Sequence, residues 1–235
     1  MRRYDIVLLD ADNTLFDFNA AETAALERTL KEFGWPWNAE SREAYLEINH
    51  ALWTAFDQGK AEEAFLTVER FRRLGERLGR SADPAEMNRR YLDHLGACSL
   101  LLPGEEELCR TLRAAGCRLA LATNGVARVQ HARLAGSPLV PYLERLFISG
   151  EMGTRKPEPA FFRAALSAIG AEDRKRCVMV GDGLGSDVKG ALSVGLDVIW
   201  FAPRGGIAPA ELQPTYTARS LEEIGRIICP TPRNT

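Results

Sequence analysis

The sequence predicts an α/β fold in which a parallel sheet is interrupted by an inserted, all-helical segment. Two observations support this prediction. Short apolar runs alternate with helical patterns in the second half of the chain, whereas residues 17–96 contain no convincing strand. Alternating strands and helices are typical of a parallel, doubly wound sheet. The 235 residues suffice for one full domain and a smaller second one.

The first strand is predicted over residues 4–9, a continuous apolar run (YDIVLL) that indicates burial on both faces of the sheet. Similar runs predict strands at 118–123, 177–181 and 197–202, with a weaker one at 146–149. Apolar residues at three-to-four spacing predict helices at 104–115, 125–135, 157–169, 186–194 and 220–228. The expected core domain comprises residues 1–16 and 97–235, with a frayed tail after Cys229.

The inserted segment, residues 17–96, is expected to form a second domain made only of helices. Its helical patterns cover residues 19–33, 40–57, 61–79 and 84–96. They are separated by glycine and proline breaks, such as Gly34-Trp35-Pro36.

Composition and charge exclude several classes of protein. The formal net charge is −2, so the basic excess of a nucleic-acid-binding protein is absent. No apolar run approaches the roughly 18 residues of a membrane span, and the run after Arg3 ends at Asp10, too soon for a signal peptide. The five cysteines show no C-x-x-C spacing, which argues against a zinc site. A soluble, cytoplasmic monomer or homodimer is expected, without a nucleic-acid or membrane partner.

Polar residues follow the predicted strands at the points where these strands end. Because ligands of open α/β sheets bind outside the carboxyl ends of the strands, these side chains are expected to converge on one rim. The residues are Asp10, Asp12, Thr123, Asn124, Lys156, Asp182 and Asp187. Carboxylates suit Mg²⁺, and crowded carboxylates repel one another unless a cation offsets them. The four aspartates carry −4 and Lys156 adds +1, so bound Mg²⁺ would leave −1.

Four ordered motifs resemble those of the haloacid dehalogenase-like hydrolases. LLDADNTLFD is similar to their first motif, D-x-D-x-T, and LATNG resembles the second, a Ser or Thr that ends a strand. The lysine of GTRKPEP resembles the third motif, and VGDGLGSD resembles the fourth. The helical insertion lies where this family carries a helical cap. The resemblance therefore covers essentially the whole chain.

The resemblance implies a phosphomonoesterase that works through an aspartyl-phosphate. Asp10 would be the nucleophile, and Asp12 would protonate the leaving group and then activate water. Thr123 would hydrogen-bond the transferring group, and Lys156 would tie Asp10 to the phosphate. Asn124, next to Thr123, is a further candidate for binding the phosphate.

The resemblance also implies a Mg²⁺ site. Asp182 and Asp187 would bind the ion together with Asp10 and the backbone carbonyl of Asp12. Similar proteins often have Ser or Thr directly after the first aspartate of the fourth motif, whereas this chain has Gly183. This departure removes a hydroxyl near the metal but leaves the carboxylates, so it is expected to adjust activity without abolishing it.

Several other functions stay open at this point. The glycine-rich GDGLGSD could suggest a dinucleotide site, but its two acidic residues would repel a pyrophosphate. A dehalogenase relative would not need Asp12, which argues against that reaction. A phosphomutase would share the same core motifs, and a non-catalytic binding protein would have no reason to keep all four.

Two short sequence stretches in and beside the helical insertion indicate the class of substrate. INHALWTAFDQGK and the FDF after the first motif look like the branch that hydrolyses nucleoside 5′-monophosphates, especially those of pyrimidines. Small sugar phosphates or phosphoglycolate are the alternative. Trp53 is a candidate for stacking on the base, although an aromatic residue in a helical block is more often part of its core.

Overall fold

The computed structural model describes residues 2–230 and contains a parallel sheet. Its strands are β1 (Ile6–Leu9), β2 (Arg118–Thr123), β3 (Leu143–Ile148), β4 (Cys177–Gly181), β5 (Asp197–Phe201) and β6 (Tyr216–Ala218). They lie in the order β3-β2-β1-β4-β5-β6, with every neighbouring pair parallel. This strand order is that of a Rossmann-like fold, and the predicted parallel, doubly wound α/β sheet is confirmed. The predicted frayed tail after Cys229 lies, except for Pro230, outside the described residues.

The central strands are apolar throughout because both faces of the sheet are covered. All four residues of β1 are buried. Leu8 lies opposite Ala120 of β2 and Met179 of β4, and these side chains share one cluster with Phe161 and Phe162. Since neighbouring side chains on a strand point to opposite faces, Val7 and Leu9 are buried on the other side. This packing explains why the strand sequences show continuous apolar runs.

The helices of the described residues fall into two compact units. In chain order they are α1 (Phe18–Glu32), α2 (Ala39–Asp57), α3 (Glu63–Leu78), α4 (Pro84–Gly96), α5 (Glu105–Ala114), α6 (Ala127–Ala135), α7 (Ser149–Met152), α8 (Pro159–Ala168), α9 (Lys189–Ser193) and α10 (Leu221–Ile228). The sheet unit comprises Met1–Asp17, Leu101–Ala127 and Ser137–Thr235. The helical unit comprises Phe18–Leu100 and Arg128–Gly136.

Local sequence signals set the ends of the helices in the helical unit. α2 begins with a capping box, in which the Asn38 side chain accepts a bond from the Ser41 backbone N–H at 2.9 Å and the Ser41 hydroxyl accepts one from Asn38 at 3.1 Å. α3 ends at Gly79, whose φ of 60° is the left-handed conformation that favours glycine. α4 starts at Pro84, after Asp83 has capped its first turn.

The helical unit includes a segment that the sequence analysis placed in the core. α6 binds α4 directly, because the Arg128 guanidinium donates to an Asp93 carboxylate oxygen at 2.7 Å and to the Arg89 carbonyl at 3.0 Å. The Ser99 hydroxyl also donates to the Arg133 carbonyl at 2.8 Å. The periodicity of α6 predicts a helix but carries no information on which partner covers it. The unit thus extends beyond residues 17–96.

Several elements differ from the sequence-based prediction, among them α7, a single helical turn that was not predicted. β3 begins at Leu143 rather than 146, since its exposed Glu144 and Arg145 interrupt the apolar run. β6 was not predicted, because three residues are too few to show a period. The helix expected at 186–194 is a π-helical turn over Leu184–Val188 followed by α9. Across residues 2–230, none of the helices combines the length and apolarity that a bilayer crossing requires.

Candidate active site

The carboxyl ends of three neighbouring strands bring the motif residues of the sheet unit together. Leu9 lies opposite Leu121 of β2 and Val180 of β4, so the residues that follow each strand emerge at one edge of the sheet. Asp10 continues β1 by donating its backbone N–H to the Val180 carbonyl at 2.9 Å. The residue is only 6% exposed. The nucleophile candidate is thus fixed by the sheet itself.

Lys156 connects the first and fourth motifs. Its ammonium donates to an Asp10 carboxylate oxygen at 2.6 Å, to an Asp187 carboxylate oxygen at 2.6 Å and to the Ala122 carbonyl at 2.8 Å. Three acceptors use all three donors of the ammonium group. The lysine is 2% exposed, so these short bonds lie in a site with little water.

The same burial shifts the acidities of the site. Burial raises the pKa of Asp10 well above its usual range, and nearby carboxylates add to this effect while Lys156 opposes it. Burial, together with the charge of Asp187, raises the pKa of Asp182 to about 7. Burial alone would lower the pKa of Lys156, but the charges of Asp10 and Asp187 and its bonds to them raise it above the ordinary lysine value. The site therefore contains more negative charge than its one lysine balances.

Three of the four predicted metal ligands lie close together, and their carboxylates have the chemistry of a Mg²⁺ site. Asp10, Asp182 and Asp187 each offer a carboxylate oxygen within 4.8 Å of the others. With Lys156 these three carboxylates carry a net charge of −2, which one divalent cation neutralises. Oxygen ligands of this type suit Mg²⁺. The Asp12 side chain is not part of this cluster, and the ligand role of its backbone carbonyl stays a prediction.

Asp12 and Thr123 lie at the same edge of the sheet. Asp12 follows β1 two residues after Asp10, and its charge contributes to the raised pKa values of Asp10 and Asp182. The turn that carries it is closed by a backbone bond from Asn13 to Phe16 at 2.8 Å. The Thr123 hydroxyl is buried and accepts the Gly125 backbone N–H at 3.0 Å. Their catalytic roles stay predictions.

The Asn124 side chain bonds to Lys156. The side-chain NH₂ donates to the Lys156 carbonyl at 2.8 Å, and the side-chain oxygen accepts the Lys156 N–H at 2.9 Å. The sequence predicts that Asn124 binds phosphate, and this role stays a prediction.

The space beside Gly183 is taken by Ser186. A Cβ atom built at position 183 would overlap the Ser186 hydroxyl and lie 3.0 Å from an Asp187 carboxylate oxygen. The Gly183 N–H donates to that same Asp187 oxygen at 3.0 Å. The departure from the family pattern thus leaves room for the Ser186 hydroxyl and for a close approach of Asp187.

Two contacts of the site were missed in the sequence analysis. The Ala122 carbonyl accepts from Lys156, and a backbone acceptor leaves no signal in the residue type. The Thr14 hydroxyl lies 3.5 Å from the second Asp10 carboxylate oxygen, and it is the threonine of the D-x-D-x-T pattern. That pattern is the signal that could have identified it.

Trp53 belongs to the helical unit. Its ring contacts Phe56 edge-on, with centroids 5.3 Å apart and an angle of 78° between the planes. Phe56, Leu52 and Leu66 form a small apolar cluster against which Trp53 packs while it stays partly exposed. Packing in this cluster and contact with a substrate are both compatible with this position.

The chain is similar to known proteins in both sequence and fold. The family profile of haloacid dehalogenase-like hydrolases matches residues 4–195. The pyrimidine 5′-nucleotidase PynA of Streptococcus pneumoniae is 34% identical over 221 residues, which are 94% of this chain and 93% of that protein. The pyrimidine 5′-nucleotidase YjjG of Escherichia coli is 31% identical over 227 residues, 97% and 99% of the two chains.

A solved structure agrees with these sequence relatives. The crystal structure of the HAD-hydrolase YfnB from Bacillus subtilis bound to magnesium matches with a TM-score of 0.91 and 32% identity, covering 97% of this chain and 100% of that one. The profile match spans most of the chain, and the four motifs meet at one edge of the sheet. This chain therefore belongs to the haloacid dehalogenase-like hydrolases.

Proposed function

We propose that this protein hydrolyses nucleoside 5′-monophosphates, with a preference for pyrimidines, in a Mg²⁺-dependent reaction through an aspartyl-phosphate on Asp10. The arrangement that carries the proposal is the buried Asp10 carboxylate, bonded at 2.6 Å to a lysine that also binds Asp187. The substrate class is supported by two relatives named pyrimidine 5′-nucleotidases, at 34% and 31% identity.

In the first step, a carboxylate oxygen of Asp10 attacks phosphorus. A bond forms between this oxygen and phosphorus while the bond from phosphorus to the ester oxygen breaks. Asp12 gives its proton to the departing ester oxygen, which leaves as the nucleoside hydroxyl. Lys156 opposes the effect of burial on Asp10 and so favours its ionised form, because its ammonium binds one carboxylate oxygen and leaves the other to react.

In the second step, Asp12 takes a proton from a water molecule whose oxygen attacks the phosphoryl group. The bond between Asp10 and phosphorus breaks, and inorganic phosphate leaves. In both steps the negative charge on the transferring phosphoryl group must be stabilised. The ammonium of Lys156 and the hydroxyl of Thr123 provide part of this stabilisation. A bound Mg²⁺, held by Asp10, Asp182 and Asp187, would supply the rest by balancing the charge of the site.

A panel of phosphate esters with Mg²⁺ tests the substrate class. It contains the 5′-monophosphates of uridine, cytidine, thymidine, adenosine and guanosine, together with phosphoglycolate and small sugar phosphates. The highest kcat/KM is expected for a pyrimidine nucleotide. A clear preference for a sugar phosphate or phosphoglycolate would replace this substrate class, and release of chloride from a 2-chloro acid would point to a dehalogenase.

Asp10→Asn tests the nucleophile, with Asp5→Asn as a matched control just before the start of β1. Asp5 forms ion pairs with Arg2 and Arg176. Asp10→Asn is expected to fold, to lose turnover by several orders of magnitude and to lose trapping by beryllofluoride. Asp5→Asn should keep both the turnover and the trapping by beryllofluoride. Turnover near the wild-type rate in Asp10→Asn would refute the mechanism.

A further inference from the structure

The amide of Asn124 forms a two-bond pair with the backbone of Lys156. The pair resembles the paired hydrogen bonds between two strands. The Lys156 N–H donates to the side-chain oxygen at 2.9 Å, and the Lys156 carbonyl accepts from the side-chain NH₂ at 2.8 Å. We propose that Asn124 is a positioning residue that acts through Lys156. The proposal rests on the proposed function, since the lysine matters there as the partner of Asp10.

The end of β2 holds Lys156 at both its backbone and its tip. Asn124 binds the backbone, and the carbonyl of Ala122, two residues earlier, accepts from the ammonium at 2.8 Å. The lysine side chain between these anchors is buried, and its long stem has rotamer entropy to lose when the ammonium is fixed. Fixing its backbone limits where the ammonium can lie, and so fixes its bonds to Asp10 and Asp187.

The chemistry of the side chain explains why an amide serves here. An amide presents a donor and an acceptor in one plane, at a spacing that matches a backbone N–H and carbonyl. Alanine offers neither group, and ionised aspartate offers only acceptors. Removing Asn124 would leave two backbone groups of Lys156 without these bonds and let the lysine shift.

A double-mutant cycle tests whether Asn124 acts through Lys156. Hydrolysis of p-nitrophenyl phosphate is measured for wild type, Asn124→Ala, Lys156→Ala and the double variant. Loss of a supporting partner at a site of this kind costs about 10- to 100-fold in activity. Asn124→Ala is expected to lower kcat/KM by this factor, mainly through kcat, but to have less than about a twofold effect in the Lys156→Ala background. Equal losses in both backgrounds would overturn the proposal and favour direct contact with the substrate.

A second readout does not depend on activity. Acetylation of Lys156 by an N-hydroxysuccinimide ester is followed by mass spectrometry, with the exposed Lys175 as internal reference. The buried and fully bonded Lys156 should react slowly in wild type and several-fold faster in Asn124→Ala. An unchanged labelling rate would contradict the positioning role. Faster labelling in a protein that hydrolyses no phosphate ester would uphold the positioning role and reject the proposed function.

A stability control separates this effect from general loosening. Ser220→Ala removes the N-terminal cap of α10, where the serine hydroxyl accepts the Glu223 N–H at 3.1 Å, and should lower the melting temperature. It should leave the labelling of Lys156 and the kinetics unchanged. If Asn124→Ala does not fold, Asn124→Asp, which keeps the acceptor but not the donor, is carried through the same measurements.

Discussion

At the residue scale, the pKa of Asp182 links metal binding to pH. Burial and the charge of Asp187 raise this pKa to about 7, so the carboxyl is protonated below pH 7 and ionised above it. A metal ion must displace the proton to bind, and its apparent affinity therefore falls as the pH drops below 7.

The expected slope follows from one proton for each ion. Mg²⁺ affinity, measured by calorimetry, should weaken by close to tenfold for each pH unit below about pH 6.5, and should level off above pH 8. Asp182→Asn should bind Mg²⁺ more weakly and lose this part of the pH dependence. An affinity that stays constant between pH 5.5 and 8.5 would contradict the assignment of Asp182 as a ligand.

A second prediction at this scale concerns the tight contact between positions 183 and 186. Gly183→Ala adds a Cβ that overlaps the Ser186 hydroxyl, so we expect a loss of about 1 kcal/mol in the free energy of unfolding. Ser186→Ala alone should be nearly neutral, and the double variant should recover most of the loss. Denaturant unfolding measures all four proteins, and additive effects would show that the two positions do not interact.

At the scale of elements, Arg70 of α3 links helices of the helical unit. It is 2% exposed, and its guanidinium donates to Asn49 of α2 at 3.3 Å and to Asn88 of α4 at 2.8 Å, while Asn49 in turn donates to Glu22 of α1 at 2.8 Å. A cation inside a small helical unit requires these partners. The network therefore fixes how α1, α2, α3 and α4 pack against one another.

Removing this arginine should destabilise the helical unit. Arg70→Ala breaks charged hydrogen bonds and leaves buried acceptors behind, at an expected cost of about 3 kcal/mol in unfolding free energy. Arg77→Ala, on the same helix, is the matched control. Its ion pair with Glu47 is exposed and should contribute at most about 1 kcal/mol. Thermal unfolding in which both variants behave alike would argue against a structural role of the network.

The elements also show what local sequence patterns can predict. β1, β2, β4 and β5 are buried on both faces, so their continuous apolar runs identify them. β6 is a three-residue strand at the edge of the sheet, and Glu144 and Arg145 of β3 face solvent, so neither strand has a clear pattern. Periodicity reports that a helix has a buried side but not what covers it, which is why the assignment of α6 to the helical unit required the structure.

The candidate site was easier to predict than these edge elements. Parallel strands bring their carboxyl ends together by topology, so Asp10, Thr123 and Asp182 could be placed on one rim from the strand assignments alone. The bonds of Asn124 to Lys156 and of Lys156 to the Ala122 carbonyl depend on loop conformation and backbone atoms. Such contacts cannot be predicted from the residue types alone.

At the scale of the whole molecule, the sequence predicts that the helical insertion selects the substrate and that Trp53 stacks on its base. Base–aromatic stacking is worth about 1–3 kcal/mol, so Trp53→Ala should lower kcat/KM for a pyrimidine nucleotide roughly 5- to 150-fold. Hydrolysis of p-nitrophenyl phosphate, which has no base, should fall much less.

Phe56→Ala is the control for this prediction, because Phe56 is buried in the same cluster and contacts the Trp53 ring. It should lower the melting temperature and reduce both activities alike. If Trp53→Ala shows this same pattern, the tryptophan belongs to the core of the helical unit and takes no part in choosing the substrate.

The chain passes between its two units four times, after Asp17, Leu100, Ala127 and Gly136. The helical unit is therefore not a single cassette that recombination can exchange between relatives. A transplant of residues 17–96 alone would leave α6 behind and cut the bonds that join Arg128 to the Asp93 carboxylate and to the Arg89 carbonyl. Chimeras that transfer specificity must carry both segments, and in natural lineages with this connectivity new specificities should arise by substitution within the unit more readily than by its replacement.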